Sequence, residues 1–172
     1  MNKLKIYKMF EEAHLPVYGS DWAACFDLKA SIRIKDIITV YTSNNNMFKL
    51  TATPNKEGKV AFSLKAGYRA LVPTGLIFDL DETQSLRVHP RSGLSIKEGI
   101  ILANCEGVVD GDYVHQSYIT AFNVSNKVYE IVDGARLAQA EIVENNPVEF
   151  EVVTEQPRDK TNRKGGFGST GK

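Results

Sequence analysis

Cysteine is scarce. Cys25 and Cys105 are the only two, eighty positions apart, with no Cys-x-x-Cys and no Cys/His spacing, so the sequence suggests neither a disulfide scaffold nor a zinc motif. A reducing cytoplasmic setting is expected. Charge of either sign is not in excess: 21 Lys and Arg balance 21 Asp and Glu. That argues against a surface built to grip nucleic acid or an anionic membrane, and any polyanion must be held locally. Long apolar runs are missing too, since no window approaches the roughly eighteen apolar residues of a membrane span and the N-terminal stretch lacks a signal-peptide core. Helical periodicity is scarce, limited to possible turns near 10–14 and 93–97. With 172 residues, one domain with one core is expected.

What the chain does carry is apolar alternation with a period of two. Leu4 and Ile6, then Tyr68, Ala70 and Val72, then Leu86 and Val88 read as half-buried strands. Further strands are expected at 118–124, 128–132, 136–143 and 148–153, separated by Gly, Asn, Asp or Pro. Short strands with frequent turn signals predict an all-β sandwich, barrel or jelly roll. Residues 37–62 contain two clusters of turn chemistry and read as a hairpin-like excursion from the main sheet. The end of the chain is polar and glycine-rich and reads as an arm without a core of its own.

Four stretches carry chemistry. His89-Pro90-Arg91-Ser92-Gly93-Leu94-Ser95 offers a guanidinium, a hydroxyl and unhindered backbone N–H groups after a strand-ending proline. That set suits phosphate oxygens, or else it is a plain strand-to-turn corner. In Asn104-Cys105-Glu106-Gly107-Val108-Val109-Asp110-Gly111-Asp112-Tyr113 the Asp-Gly pair is a hairpin-turn signal, yet the tyrosine is not explained by a turn. A carboxylate there can orient a water, and a tyrosine three residues on can press on a sugar or base. Gly134-Ala135-Arg136-Leu137-Ala138-Gln139 is a turn entering a strand whose polar residues face either solvent or ligand. The tail from Arg163 to Lys172 contains the spacing G-x-x-x-x-G-K, but no Ser or Thr follows the lysine and no strand or helix flanks it, so it is not a P-loop. It is either a linker-like tail or a lid with one aromatic face.

In this order the stretches resemble the five motifs of the trimeric dUTP diphosphatases (dUTPases): Ala24-Cys25-Phe26-Asp27-Leu28-Lys29-Ala30, Pro90-Arg91-Ser92-Gly93-Leu94, Gly107 to Tyr113, Gly134 to Gln139, and Gly165-Gly166-Phe167-Gly168-Ser169-Thr170-Gly171. Tyr68-Arg69-Ala70-Leu71-Val72-Pro73-Thr74-Gly75-Leu76 resembles the family's connecting strand. Nearly the whole chain is covered except 37–62. The sequence departs from the family pattern at Cys25, where the family has Gly, at His115, where it often has Gly, and at Arg163, one place nearer the glycines than usual, with Lys164 beside it.

The resemblance implies a jelly-roll-like β-barrel over 1–154, with the 37–62 insertion and a flexible arm over 155–172. It implies a homotrimer whose sites are each assembled from three chains, hydrolysing dUTP to dUMP and pyrophosphate with Mg²⁺. Asp110 would orient the attacking water, and Tyr113 would pack on the deoxyribose and exclude a 2′-hydroxyl. Asn104, Gly107, Val108 and Val109, with Tyr118 across the hairpin, would line the uracil pocket. Arg91, Ser92, Gly93 and Gln139 would hold the phosphates, and Asp27 would assist the metal through water. Phe167 would cover the uracil, with Arg163, Gly168, Ser169 and Thr170 on the phosphate side. Two other readings stay open: a dCTP deaminase or bifunctional deaminase and diphosphatase, and a regulatory protein on the same fold that binds a partner protein through 37–62.

Overall fold

The protein is described by a computed structural model over residues 3–162, so Arg163, Phe167, Gly168, Ser169 and Thr170 lie outside the described residues. In chain order the elements are β1 (Lys5–Lys8), β2 (Val17–Tyr18), β3 (Phe26–Lys29), β4 (Ile37–Tyr41), β5 (Met47–Thr51), β6 (Thr53–Pro54), β7 (Val60–Leu64), β8 (Arg69–Pro73), β9 (Leu76–Asp79), β10 (Gln84–Pro90), α1 (Ser92–Glu98), β11 (Ile100–Leu102), β12 (Gly107–Val109), β13 (Tyr118–Asn123), β14 (Tyr129–Val132) and β15 (Arg136–Glu144). This is the expected all-β architecture of jelly-roll type, with one short helix. No helix among the described residues is long and apolar enough to cross a membrane.

Two five-stranded sheets dominate, ordered β12-β10-β15-β3-β2 and β11-β13-β8-β4-β5, with small sheets β1-β9 and β14-β7-β6. Alternation along each strand sends one face inward. From the first sheet come Phe26, Leu28, Leu86, Val88, Ala138 and Ala140; from the second come Ile38, Val40, Ala70, Val72, Ile119 and Ala121, all buried in one core. Asn123 is a fully buried polar side chain in that core. Its amide donates to the carbonyls of Leu64 at 2.9 Å and Lys127 at 2.8 Å, while its Oδ1 accepts from the Ser125 N–H at 3.0 Å, which removes the penalty of burying it.

The opposite face of the first sheet is polar, and one irregularity helps to make it so. Gln139 faces Asp27 and Ala138 faces Leu28, but the next partner of Lys29 is Arg136, because the ladder shifts there. The extra residue turns Leu137 into the core, 3% exposed, and returns Arg136 to the face that carries Asp27, the usual effect of a bulge.

Two expectations change. Residues 37–62 do contain a hairpin, β4–β5, but β4 also pairs with β8, Val40 opposite Ala70. The hairpin therefore lengthens the second sheet instead of standing apart from it. Residues 148–153 join no strand ladder among the described residues, and Phe150 and Val152 are 91% and 93% exposed. The alternation is there, but the described residues supply no partner edge for it.

The helix α1 follows Pro90 and ends at Gly99, whose φ of 66° and ψ of 31° are left-handed; its N–H reaches the carbonyls of Leu94 and Ser95. A Cβ there would stand 2.9 Å from the Ser125 Cβ and 3.0 Å from the Ser125 nitrogen. Gly99→Ala is expected to cost about 1–3 kcal/mol through strain and crowding, read as a lower midpoint in urea denaturation. An unchanged midpoint would contradict this account of how the corner after β10 is closed.

Candidate active site

Strand β10 organises the site, because it pairs with β15 on one side and β12 on the other. At its C-terminal end the chain turns at Pro90 and delivers Arg91 beside Asp27. Arg91 Nε lies 2.8 Å from Asp27 Oδ1, and Arg136 Nη1 lies 3.1 Å from Asp27 Oδ2. Arg91 Nη1 also donates to the Arg136 carbonyl at 3.0 Å. The Asp27 side chain is 13% exposed, so it fixes the guanidiniums from below. Gln139 Nε2 donates to the Pro90 carbonyl at 3.1 Å, tying the corner to β15.

These residues line a cavity of about 240 Å³ with Ser92, Gly93, Gly19, Ala23 and Cys25. A Cβ on Gly93 or Gly19 would meet nothing within 4 Å, so their bareness leaves room for a ligand and not for a neighbouring side chain. Two guanidiniums against one carboxylate leave one net positive charge. With the Ser92 hydroxyl added, the cavity is suited to phosphate oxygens.

The second group of expected residues sits in the connection between β11 and β13, which form a hairpin with Leu102 opposite Ala121. The Ala103 N–H bonds to the Thr120 carbonyl at 2.8 Å, and the Thr120 hydroxyl donates to Asn104 Oδ1. Tyr118 lies two residues from Thr120 on the same face of β13. Cys105 then takes a left-handed φ of 60°, and the chain peels away as β12 to pair with β10. Gly107 permits that approach, since a Cβ on it would stand 3.0 Å from the Val88 Cβ and 3.5 Å from Asn104 Nδ2. Tyr118 is thus across the hairpin from the Asn104 arm, while Val108 and Val109 answer to β10.

After β12 comes the acidic turn. The Tyr113 N–H bonds to the Asp110 carbonyl at 3.1 Å, and the Tyr113 hydroxyl donates to the Gln116 carbonyl at 3.1 Å. Gly111 is required by contact: a Cβ there would lie 2.7 Å from the Asp81 carbonyl oxygen and 3.3 Å from that of Gln84. Asp110 therefore sits at the N-terminal end of β10. Since Val109 faces Leu86, Asp110 continues opposite Ser85, six strand residues from Arg91, or about 20 Å at ~3.3 Å per residue. Within one chain the acidic turn and the cationic cavity occupy opposite ends of the same strand.

The structure thus brings Asp27, Arg91, Ser92, Gly93 and Gln139 together, and gathers Asn104, Gly107, Val108, Val109, Asp110, Tyr113 and Tyr118 around the β11–β13 connection. Sequence reasoning left out Arg136 as a site residue, although it stands inside a quoted motif; only the bulge aims it at Asp27. Trp22, next in sequence to Ala23 of the cavity lining, is 97% exposed. Cys25 is half-buried and Cys105 exposed.

The sequence model of the dUTPase family matches residues 58–171. A deoxyuridine 5′-triphosphate nucleotidohydrolase of Nautilia profundicola is 35% identical over 171 residues, covering 99% of each chain. Among solved structures, a Staphylococcus bacteriophage 80alpha dUTPase variant with dUpNHpp superposes with a TM-score of 0.75 at 18% identity, covering 99% of both chains. A dUTPase variant of phage phi11 of S. aureus, described for its coordination of a structural Mg(II) ion, gives 0.67 at 18% identity, covering 90% of this chain and 98% of the other. With a family match over most of its length and a relative aligned end to end, the chain belongs to the dUTPase family.

Proposed function

We propose that this protein hydrolyses dUTP to dUMP and pyrophosphate, acting on the cytoplasmic nucleotide pool as a homotrimer in which different copies supply the two halves of each site. The observation that carries this reading is the separation of about 20 Å along β10 between Asp110 and Arg91. A base and a phosphate clamp that serve one α-phosphorus cannot both come from one chain at that distance. The exposed alternating segment 148–153 is a second support, because an apolar face without a partner edge is completed by another copy.

Asp110 takes a proton from the attacking water as oxygen bonds to the α-phosphorus, and the bond to the bridging oxygen of the pyrophosphate breaks. Arg91, with Ser92, Gly93 and Gln139, holds the phosphate chain in line. Tyr113, anchored through its hydroxyl to the Gln116 carbonyl, presents a ring held in place to the deoxyribose and leaves no room for a 2′-hydroxyl. Asn104 and the strand edge of β12 read the uracil, where rejecting one added methyl is worth roughly 1–3 kcal/mol. The arm residues Arg163, Phe167, Gly168, Ser169 and Thr170 close over the base and phosphates.

Asp27 fits Mg²⁺ only through water. Its Oδ2 already accepts an Arg136 N–H and its Oδ1 is ion-paired with the Arg91 guanidinium, but a carboxylate keeps further lone pairs for a bound water. Mg²⁺ suits such a site because it retains waters and takes most of its other ligands from substrate phosphates. When bound with the triphosphate it offsets charge that would otherwise repel the nucleophile.

The test is a panel of dUTP, dCTP, dTTP and UTP with Mg²⁺, with pyrophosphate and ammonia both measured. Pyrophosphate from dUTP alone is expected. Ammonia from dCTP would establish the deaminase reading instead, and comparable turnover of UTP would remove the role given to Tyr113.

A further inference from the structure

We propose that Cys25, His89 and Glu141 form a binding site for a transition-metal ion of the Zn²⁺ class, separate from the Mg²⁺ that accompanies the nucleotide. The three residues are far apart in sequence: His89 and Glu141 belong to the paired strands β10 and β15, and Cys25 immediately precedes β3, which pairs with β15 on its other side. Glu141 faces Arg87 across the β10–β15 ladder, and His89 faces Gln139 one row along. On the other side Ala140 faces Phe26, which brings Cys25, the next residue back, opposite Glu141. All three side chains emerge on the polar face of the first sheet, and one ligand atom from each lies within 4.8 Å of the others.

The donor set is what distinguishes this cluster from an ordinary ion-pair ladder. A thiolate, an imidazole and a carboxylate at bond lengths of about 2.0–2.3 Å make a three-ligand site with a fourth position open to water. Rotamer adjustment of roughly 1 Å closes the present spacing to the ~3.5 Å that tetrahedral ligands need. Sulfur and imidazole select against Mg²⁺ and Ca²⁺, which want oxygen. Thiolate and carboxylate together cancel a divalent charge.

The surroundings supply the outer support such a site requires. His89 Nε2 is 3.1 Å from Glu141 Oε1, facing the metal position, while His89 Nδ1 is 3.6 Å from Glu106 Oε1. Arg87 Nη1 holds Glu106 from the far side at 3.7 Å. A carboxylate behind the distal nitrogen fixes the imidazole orientation and raises its basicity toward a metal. Without an ion, burial and then the Glu141 charge push the Cys25 thiol up, keeping it protonated. A bound cation reverses the second effect and releases the thiol proton. Loading would clamp β3 to β10 and β15 two residues before Asp27.

Metal-free full-length protein titrated with Co²⁺ is expected to bind one ion per chain, with thiolate-to-cobalt charge-transfer absorption and the intense visible bands of four-coordination. Zn²⁺ should displace it, and excess Mg²⁺ should not. His89→Gln and Glu141→Gln should each weaken Co²⁺ binding at least 10-fold, and Glu106→Gln about 10–100-fold. Cys105→Ser should bind as the parent does. Absence of the charge-transfer band, or its loss in Cys105→Ser, would overturn the proposal. Should Cys25→Ser fold poorly, thiol modification decides in the Cys105→Ser chain: Zn²⁺ must slow labelling of Cys25 while Mg²⁺ leaves it unchanged, and equal labelling with and without Zn²⁺ also overturns it.

Discussion

Asp110→Asn is expected to lower kcat for dUTP by about 10²–10⁴ while KM stays near the parental value, because the substitution removes a proton acceptor and little else. Asn matches Asp in shape but cannot take a proton from water. The turn itself does not depend on the carboxylate: its closing bond runs from the Tyr113 N–H to the Asp110 main-chain carbonyl. The close approach of Gly111 to the Asp81 and Gln84 carbonyls is likewise a backbone matter. Surface changes away from packing or buried partners shift stability by roughly 0.5 kcal/mol or less, so the denaturation midpoint should hold while pyrophosphate release collapses. Retention of more than about a tenth of the parental kcat would exclude Asp110 as the base.

Much of this was readable from local pattern. Strands β8, β10, β13, β14 and β15 follow from apolar alternation, since each buries one face in a shared core. The corner at Arg91-Ser92-Gly93 and the Asp110-Gly111 turn were legible because each gathers unusual chemistry within a few residues. What could not be read depends on long-range pairing. Nothing in 136–139 announces the shift that turns Leu137 inward and Arg136 toward Asp27. Residues 148–153 have a strand's alternation, yet the edge they need is not in the described part of the chain. Cys25, His89 and Glu141 have no motif spacing, because their meeting is a property of the β3-β15-β10 order. The pairing of β12 with β10 instead of β13 was equally hidden, and it sets the distance between the two halves of the site.

That distance yields the second large effect. On the proposed function, Asp110→Asn and Arg91→Gln chains should each be nearly inactive when prepared alone, the first lacking the proposed base and the second the charge proposed to clamp phosphate, a loss of order 10²–10³. Unfolded together at equal concentration and refolded, they should recover activity. If Asp110 and Arg91 of one site come from different copies, a site is intact when the first copy carries the parental Asp and the second the parental Arg. Each condition is met half the time under random assembly, so about a quarter of sites are restored, and mixed material should show about a quarter of the parental rate. If one chain supplied both groups, every site would carry one defect and mixing would restore nothing. The contrast is between about 25% and at most a few per cent, well outside assay error, and it does not depend on knowing how the copies dock. Mixing after separate folding is the control: without subunit exchange it should stay inactive, which ties any recovery to assembly.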